Sequence, residues 1–127
     1  MYAWLREHGV APAGAPFIRY RVIDMAATLD IELGVPIVVA MPGDADIIVD
    51  SLPAGRYAAL TYTDVARGIE GNAALLDWGA RQGLVWDSWA ESSGDAFGSR
   101  IETFLTDPQD EPDMTKWETE VAIRLAD

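Results

Sequence analysis

The chain of 127 residues contains no cysteine and a single histidine, His8. Without thiols it can form neither a disulfide framework nor a thiolate metal site, which favours a cytoplasmic location. One histidine also makes a transition-metal site or a Ser-His-Asp triad a poor expectation. The glycines occur singly at turns, so they do not form a phosphate-binding loop. We therefore expect neither a metal nor a cofactor.

Long apolar runs are absent as well. None reaches the ~18–20 residues that a membrane-spanning helix requires. Residues 1–10 also lack the organisation of a signal peptide. The sequence therefore predicts no membrane partner.

Basic side chains are scarce: nine lysines and arginines stand against 21 aspartates and glutamates, which gives a formal net charge of −12. A surface this acidic repels phosphate backbones, so direct binding of nucleic acid is not expected. The same charge would attract cationic small molecules. Half of the residues are apolar, and the length suits one domain over residues 1–127.

Apolar spacing predicts two helices. The first covers Met1 to His8 and ends at Gly9, where a left-handed cap favours glycine. The second runs from Val65 to Gln82 between a cap at Asp64 and a stop at Gly83. Its apolar residues occupy two faces, which predicts a helix packed between two surfaces. One of these faces is the stripe of Ile69, Ala73, Leu76 and Ala80.

Alternating and β-branched segments predict strands at 16–24, 28–38, 46–63, 99–107 and 117–126. Residues 53–55 interrupt the third of these segments. In the second segment, one face carries Leu29, Ile31, Leu33 and Val35. Residues 84–98 are interpreted as a linker, and residues 108–116 as an acidic loop.

Three matches within the chain indicate an internal repeat. Trp4 precedes Gly9 by five residues, as Trp78 precedes Gly83, and both tryptophans are expected in a seam between the helices. Ile18–Asp24 matches Ile101–Asp107, with Arg19 opposite Glu102. Asp30–Pro36 matches Glu118–Arg124, with Glu32 opposite Glu120. We therefore predict an α+β fold of two βαββ units, about 1–45 and 46–127, with antiparallel sheets and one main helix per unit. The units would pair about a pseudo-twofold, and unit one would lack its first strand.

The order of the segments LPAGRYAALTYTD, LLDWGARQGL, IETFLTDPQDEPD and WETEVAIRL resembles that of the GyrI-like small-molecule-binding (effector-binding) family. Members of this family are stand-alone proteins or the sensing halves of AraC- and MerR-type transcription regulators. The resemblance implies a pocket between the two units, lined by aromatic side chains, in which a buried glutamate receives lipophilic cations. It matches that glutamate to Glu102 and, as a second choice, to Glu120.

Candidate site residues follow from strand faces. Glu102 shares its face with Phe104, and a plain hairpin would turn Glu120 toward the same side of the sheet. Further candidates for the pocket wall are Tyr20, Tyr62, Trp86 and Trp89. Each has a plainer alternative: the glutamates could face solvent or pair with an arginine, and the tryptophans could close the edge of the core.

Three functions remain open from the sequence. The first is binding of a cationic aromatic molecule. The second is hydrolysis of strained cyclopropane-bearing compounds, which the resemblance also implies, with Glu102 or Glu120 as general base. The third is regulation of another protein through the acidic surface. A second copy of the chain could complete the sheet by strand addition, which would give a homodimer.

Overall fold

The structure, a computed structural model, describes residues 1–24 and 29–127. Its two α-helices are α1 (Tyr2–Glu7) and α2 (Gly68–Arg81). Its strands are β1 (Phe17–Ile23), β2 (Leu29–Gly34), β3 (Tyr57–Thr63), β4 (Ser88–Glu91), β5 (Gly94–Phe97), β6 (Arg100–Phe104) and β7 (Glu118–Arg124). Short 3₁₀ turns cover Val65–Arg67 and Met114–Lys116. The predicted α+β class is confirmed. No helix in the described ranges has the length and apolarity to cross a bilayer.

The seven strands form one sheet whose described pairings are antiparallel. β1 lies near its centre and pairs along one edge with β2. Its other edge pairs with β6 through Phe17–Arg19 and with β5 through Val22 and Ile23. Outward from β6 the order is β7 and then β3, and β4 pairs with the far edge of β5.

Strand register assigns the side chains to two sides of this sheet. Directly paired residues of antiparallel strands project to the same side. One such row consists of Leu33, Ile18, Glu102, Val121 and Leu60, on β2, β1, β6, β7 and β3. We call this side the Glu102 side. Arg19, the next residue of β1, faces the opposite side, which we call the Arg19 side.

Helix α2 covers half of the Glu102 side. Leu75 of α2 is 1% exposed, and it joins the core cluster of Ala58, Val121, Ile123 and Leu125. Gly71 and Gly79 make the contact close: a Cβ at Gly71 would lie 2.6 Å from the Tyr62 ring, and one at Gly79 would overlap the Trp86 ring. The predicted helix is therefore present, and of its two faces predicted to be packed, the one that carries Leu75 lies against the sheet.

The buried stripe of α2 is Gly71, Leu75 and Gly79, whereas Ile69 is 81% exposed. The stripe of Ile69, Ala73, Leu76 and Ala80 was predicted to pack against a second surface, but only Leu76 is partly buried. The C-terminal end of the helix follows prediction, whereas α2 begins only at Gly68 and Asp64 caps the 3₁₀ turn Val65–Arg67 that precedes it. The Asp64 side chain accepts the Ala66 N–H, and Gly83 adopts a left-handed φ of 70°.

Over the other half of the Glu102 side, no helix of the described residues covers the sheet. On β2, Leu29, Ile31 and Leu33 share this side as predicted, and they are 47%, 43% and 69% exposed. Helix α1 lies elsewhere, since its Trp4 and Leu5 line a cavity together with Arg19.

The tryptophans predicted for a helix seam occupy separate environments. Trp4 stacks on His8 with ring centroids 3.9 Å apart and donates its indole N–H to Asp44. Trp78 is exposed. The reason is that α2 packs on the Glu102 side, whereas α1 lines a cavity on the Arg19 side.

Two segments differ from the sequence prediction. The expected linker at 84–98 contains the β4–β5 hairpin, which turns at Ser92 and Ser93. The strand expected at 46–63 begins only at Tyr57. Thr28, at the start of one predicted strand, lies outside the described residues.

Candidate functional site

Glu102 lies at the centre of a polar network on the Glu102 side. The Tyr20 hydroxyl donates to its Oε2 at 3.1 Å, and the Asn72 side-chain amide donates to its Oε1 at 2.9 Å. Tyr20 comes from β1 and Asn72 from α2, so three elements converge on one carboxylate. Both carboxylate oxygens are held by neutral donors.

Asn72 links this carboxylate to a buried cation. Its Oδ1 accepts a hydrogen bond of 2.9 Å from Arg100 Nη2, while its amide also donates to the Gly68 carbonyl. The guanidinium of Arg100 therefore reaches Glu102 through the amide. Asparagine is unfavourable inside a helix, and here it satisfies polar groups of the sheet that the helix would otherwise bury.

Arg100 is 9% exposed and lies over the Phe97 ring at 4.8 Å from its centroid. Burial lowers the pKa of Arg100, and the charge of Glu102 opposes that fall. Phe97 thus supplies a cation–π contact, and Asn72 supplies a hydrogen bond. Together they compensate for part of the lost hydration.

Two tyrosines flank the carboxylate. Burial raises the pKa of Tyr20 to about 12, and the charge of Glu102 and the hydrogen bond to it add to the rise. Burial also raises the pKa of Tyr62, and the charge of Glu102 adds to that rise while a hydrogen bond with Thr119 opposes it. Tyr20 therefore stays protonated near neutral pH and acts as a donor to Glu102.

Glu102 marks the border between the covered and the open part of its row. Val121, its partner on β7, is fully buried beneath α2. On the other flank, Ile18 is partly buried and Leu33 is exposed. Glu102 itself is partly buried. A carboxylate at such a border can meet a ligand that lies on the open half.

Glu120 does not share this side, contrary to expectation. Glu102 pairs with Val121 and Thr103 pairs with Glu120. Because neighbouring residues of a strand face opposite sides, Glu120 lies on the Arg19 side. The two carboxylates are therefore separated by the sheet, and they cannot act together on one substrate.

The aromatic candidates divide into three places. Phe104 is partly buried and lies two residues from Glu102, on the same side. Trp86 packs against the core and fills the space beside Gly79, as in the plainer alternative. Trp89 is half exposed on β4 and donates its indole N–H to Glu91.

Two cavities lie beside Arg19. The larger, of about 660 Å³, is lined by α1, β1, β2 and the segments 35–37 and 46–52. The smaller, of about 270 Å³, is lined by Arg19, Arg21 and Trp89 among others. Glu102 lines neither cavity. Glu102 lies instead at the edge of the exposed apolar surface to which Leu33 belongs.

Asn72, Arg100 and Arg19 were missed as functional candidates. An asparagine in the interior of a predicted helix, where this residue type is unfavourable, was a usable signal for Asn72. Arg100 and Arg19 gave no comparable signal, because a charged residue in a strand usually marks the solvated side.

No family model matches the chain, and no curated protein matches it. Within residues 1–24 and 29–127, no group of three or more histidines, aspartates or glutamates is arranged to hold a metal ion. What the site can do therefore follows from its own geometry.

Proposed function

We propose that the protein is a small-molecule-binding module of the GyrI-like kind, which takes hydrophobic, cationic aromatic molecules on the Glu102 side. The observation that carries the proposal is the position of Glu102, held by Tyr20 and Asn72 at the edge of an exposed apolar surface. The ligand's apolar body would cover Ile18 and Leu33, and its positive charge would meet Glu102.

Selection for a cation follows from the partners of the carboxylate. Tyr20 and Asn72 orient Glu102 but are neutral, and Arg100 donates its hydrogen bond to Asn72, so it acts on the carboxylate only through space. A ligand that covers Glu102 removes water from it, and a carboxylate loses free energy in a dry site unless a positive charge replaces that water. Cationic ligands are therefore favoured over neutral ligands of the same shape.

Strand register supports the duplication that belongs to this proposal. A twofold axis normal to the sheet through the Ile18–Glu102 pair exchanges β1 with β6. The same rotation carries the Ile18–Leu33 pair onto the Glu102–Val121 pair. The strands β1–β2 and β6–β7 thus match in register as well as in order.

The next row gives the same result. The Arg19–Glu32 pair falls on the Thr103–Glu120 pair, so the proposed equivalence of Glu32 and Glu120 is kept. The equivalence of Arg19 with Glu102 is not, because these residues face opposite sides. Under this axis the counterpart of Glu102 is Ile18, whereas the sequence match had paired Glu102 with the next residue, Arg19. The helices do not follow this axis, so we propose the duplication for the strands.

The test is a charge-selective loss of binding in Glu102→Gln. Rhodamine 6G serves as the cationic probe and Nile red as the neutral one, and fluorescence titration gives both dissociation constants. Losing a charge-assisted contact is expected to weaken rhodamine 6G about 10-fold or more. Nile red should change by less than about twofold, since its contacts are apolar.

Glu120→Gln is the matched control, because it removes the same charge from the other side of the sheet. It should leave both dyes unchanged. Equal weakening of the two dyes by Glu102→Gln, or equal effects of the two variants on rhodamine 6G, would contradict the proposal.

Hydrolysis is a second candidate, and the same geometry favours it. With both oxygens of Glu102 oriented by donors, the carboxylate could accept a proton from a water molecule on the open side. Glu120 cannot take part. Mass spectrometry of a strained-ring substrate would detect one added water with the wild type and none with Glu102→Gln; the absence of product with the wild type leaves binding alone.

A further inference from the structure

The larger cavity lies on the Arg19 side, across the sheet from Glu102. Its volume of about 660 Å³ is in the range of pockets that enclose small organic ligands, roughly 300–1,000 Å³. Its lining is mainly apolar, with Leu5, Phe17, Val35, Ile37 and Ile47 among the contributors. Such a lining suits a hydrocarbon body.

Arg19 gives this apolar cavity a positive end. Its side chain is 13% exposed, and its Nη2 donates to the Gly98 carbonyl at 2.8 Å. Its Nε is buried and has no hydrogen-bond partner among the described residues. A guanidinium offers five N–H donors in a planar fork, so Arg19 retains donors that Gly98 does not satisfy.

Glu32, the acidic residue nearest to Arg19, forms only a long ion pair with it. Glu32 Oε1 is 4.0 Å from Arg19 Nη1, and it lies nearer to Arg21 Nη1, at 3.4 Å. Glu32 is also 39% exposed in its side chain, which screens its charge. One carboxylate is thus shared by two arginines that line the same cavity.

From this arrangement we propose a second ligand site that binds a small hydrophobic monocarboxylate. The ligand's carboxylate pairs with Arg19, with Arg21 nearby, and its apolar body fills the space between α1 and β1–β2. Arginine and carboxylate match in geometry as a planar, charge-assisted pair. The site is separate from the surface at Glu102 and does not depend on the function proposed for that surface.

The rim of the cavity restricts the charge of the ligand. Asp46 and Asp50 line it and are exposed, and the whole chain has a formal charge of −12. These charges oppose a phosphate dianion more strongly than a singly charged carboxylate. A monocarboxylate also leaves most of the ligand apolar, as the lining requires.

Isothermal titration calorimetry with decanoate and decanol tests the proposal, because the two probes differ only in the head group. Decanoate should bind the wild type about 10-fold or more tightly than decanol, the effect of a charge-assisted hydrogen bond. In Arg19→Met, decanoate should fall to the affinity of decanol, and decanol should stay within about twofold. Arg67→Met removes an exposed arginine that pairs with Glu70, and it should change neither probe.

A direct readout comes from ¹H–¹⁵N spectra of the wild type. The Arg19 Nε–H resonance, assigned by its loss in Arg19→Lys, should shift downfield with decanoate and not with decanol. Equal affinity for the two probes in the wild type overturns the proposal, as does an unchanged decanoate affinity in Arg19→Met.

A second pair of variants keeps the test valid if Arg19→Met does not fold. Ile48 lines the same cavity and is 76% exposed, so it tolerates substitution. Ile48→Glu should weaken decanoate and Ile48→Lys should strengthen it, while decanol responds equally to both. The same response of decanoate to both variants contradicts the proposal.

Discussion

The two halves of the Glu102 side have similar sequences and different burial. Beneath α2, Val121 and Ile123 are fully buried. On β2, Ile31 and Leu33 occupy the same side of the sheet, and both are exposed. Both halves are alternating antiparallel strands with an apolar face, so the difference lies in what covers them.

The difference shows that a sheet face becomes core only where another element can approach it. In the covered half, Gly71 and Gly79 bring α2 close enough for Tyr62 and Trp86 to pack against its backbone. In the open half, no helix within residues 1–24 and 29–127 approaches, because α1 lies on the other side of the sheet. The site proposed for cationic ligands lies where the two halves meet.

The largest expected effect is a difference in the free energy of unfolding between a substitution in the covered half and one in the open half. Leu75→Ala removes a side chain that is 1% exposed, and it should lower the free energy of unfolding by about 2–5 kcal/mol. Leu33→Ala, on the open half, should change it by less than about 0.5 kcal/mol. Urea unfolding followed by tryptophan fluorescence measures both. Similar losses for the two variants would mean that the open half is covered in solution.

The next effect concerns the border itself. Asn72→Ala leaves Arg100 and Glu102 without their bridge, and it should cost about 1–3 kcal/mol of unfolding free energy. Asp77→Ala, at an exposed position of the same helix, should stay within about 0.5 kcal/mol. If Asn72→Ala is as stable as the wild type, the bridge does not hold the two elements together.

The smallest effect is a pH dependence at Tyr20. An unfolded tyrosine ionises near pH 10, whereas Tyr20 has a raised pKa of about 12 in the fold. The stability that its protonated form contributes is therefore complete below pH 10, and it is lost as the pH rises from about 10 to 12. The stability difference between the wild type and Tyr20→Phe should shrink over that window.

Ultraviolet titration at 295 nm checks the same residue directly. Of the four tyrosines, one should ionise near pH 12, and its signal should be absent in Tyr20→Phe. In Glu102→Gln that ionisation should move to lower pH, because the charge and the hydrogen bond of Glu102 are gone while burial remains. A midpoint that Glu102→Gln does not change would exclude a contact between Tyr20 and Glu102.

Much of the local structure could be predicted from sequence. Asp64 caps the 3₁₀ turn that leads into the long helix, and Gly83 follows the end of that helix. Both were predictable because capping and left-handed turns depend on few neighbouring atoms. The alternation at Leu29, Ile31 and Leu33 predicted one shared face, because every second residue of a strand projects to the same side. The β4–β5 hairpin was missed, since its short strands have no apolar alternation of their own.

The site could be predicted only in part. Glu102, Tyr20 and Tyr62 were selected, and they lie together in the structure. Their link to α2 through Asn72 was not predicted, because hydrogen bonds between a helix and a distant strand leave no pattern in the local sequence. The pairing of Glu120 with Glu102 was wrong by one residue of register, and a shift of one residue exchanges the two sides of a sheet.

The sequence by itself determined where helices end and which residues of a strand share a face, because caps and pleats depend on adjacent residues. Tertiary structure alone decided which face lies beneath a helix and which acid stands beside which tyrosine. Those outcomes depend on the register between strands distant in the chain, and on how closely a helix backbone can approach the sheet.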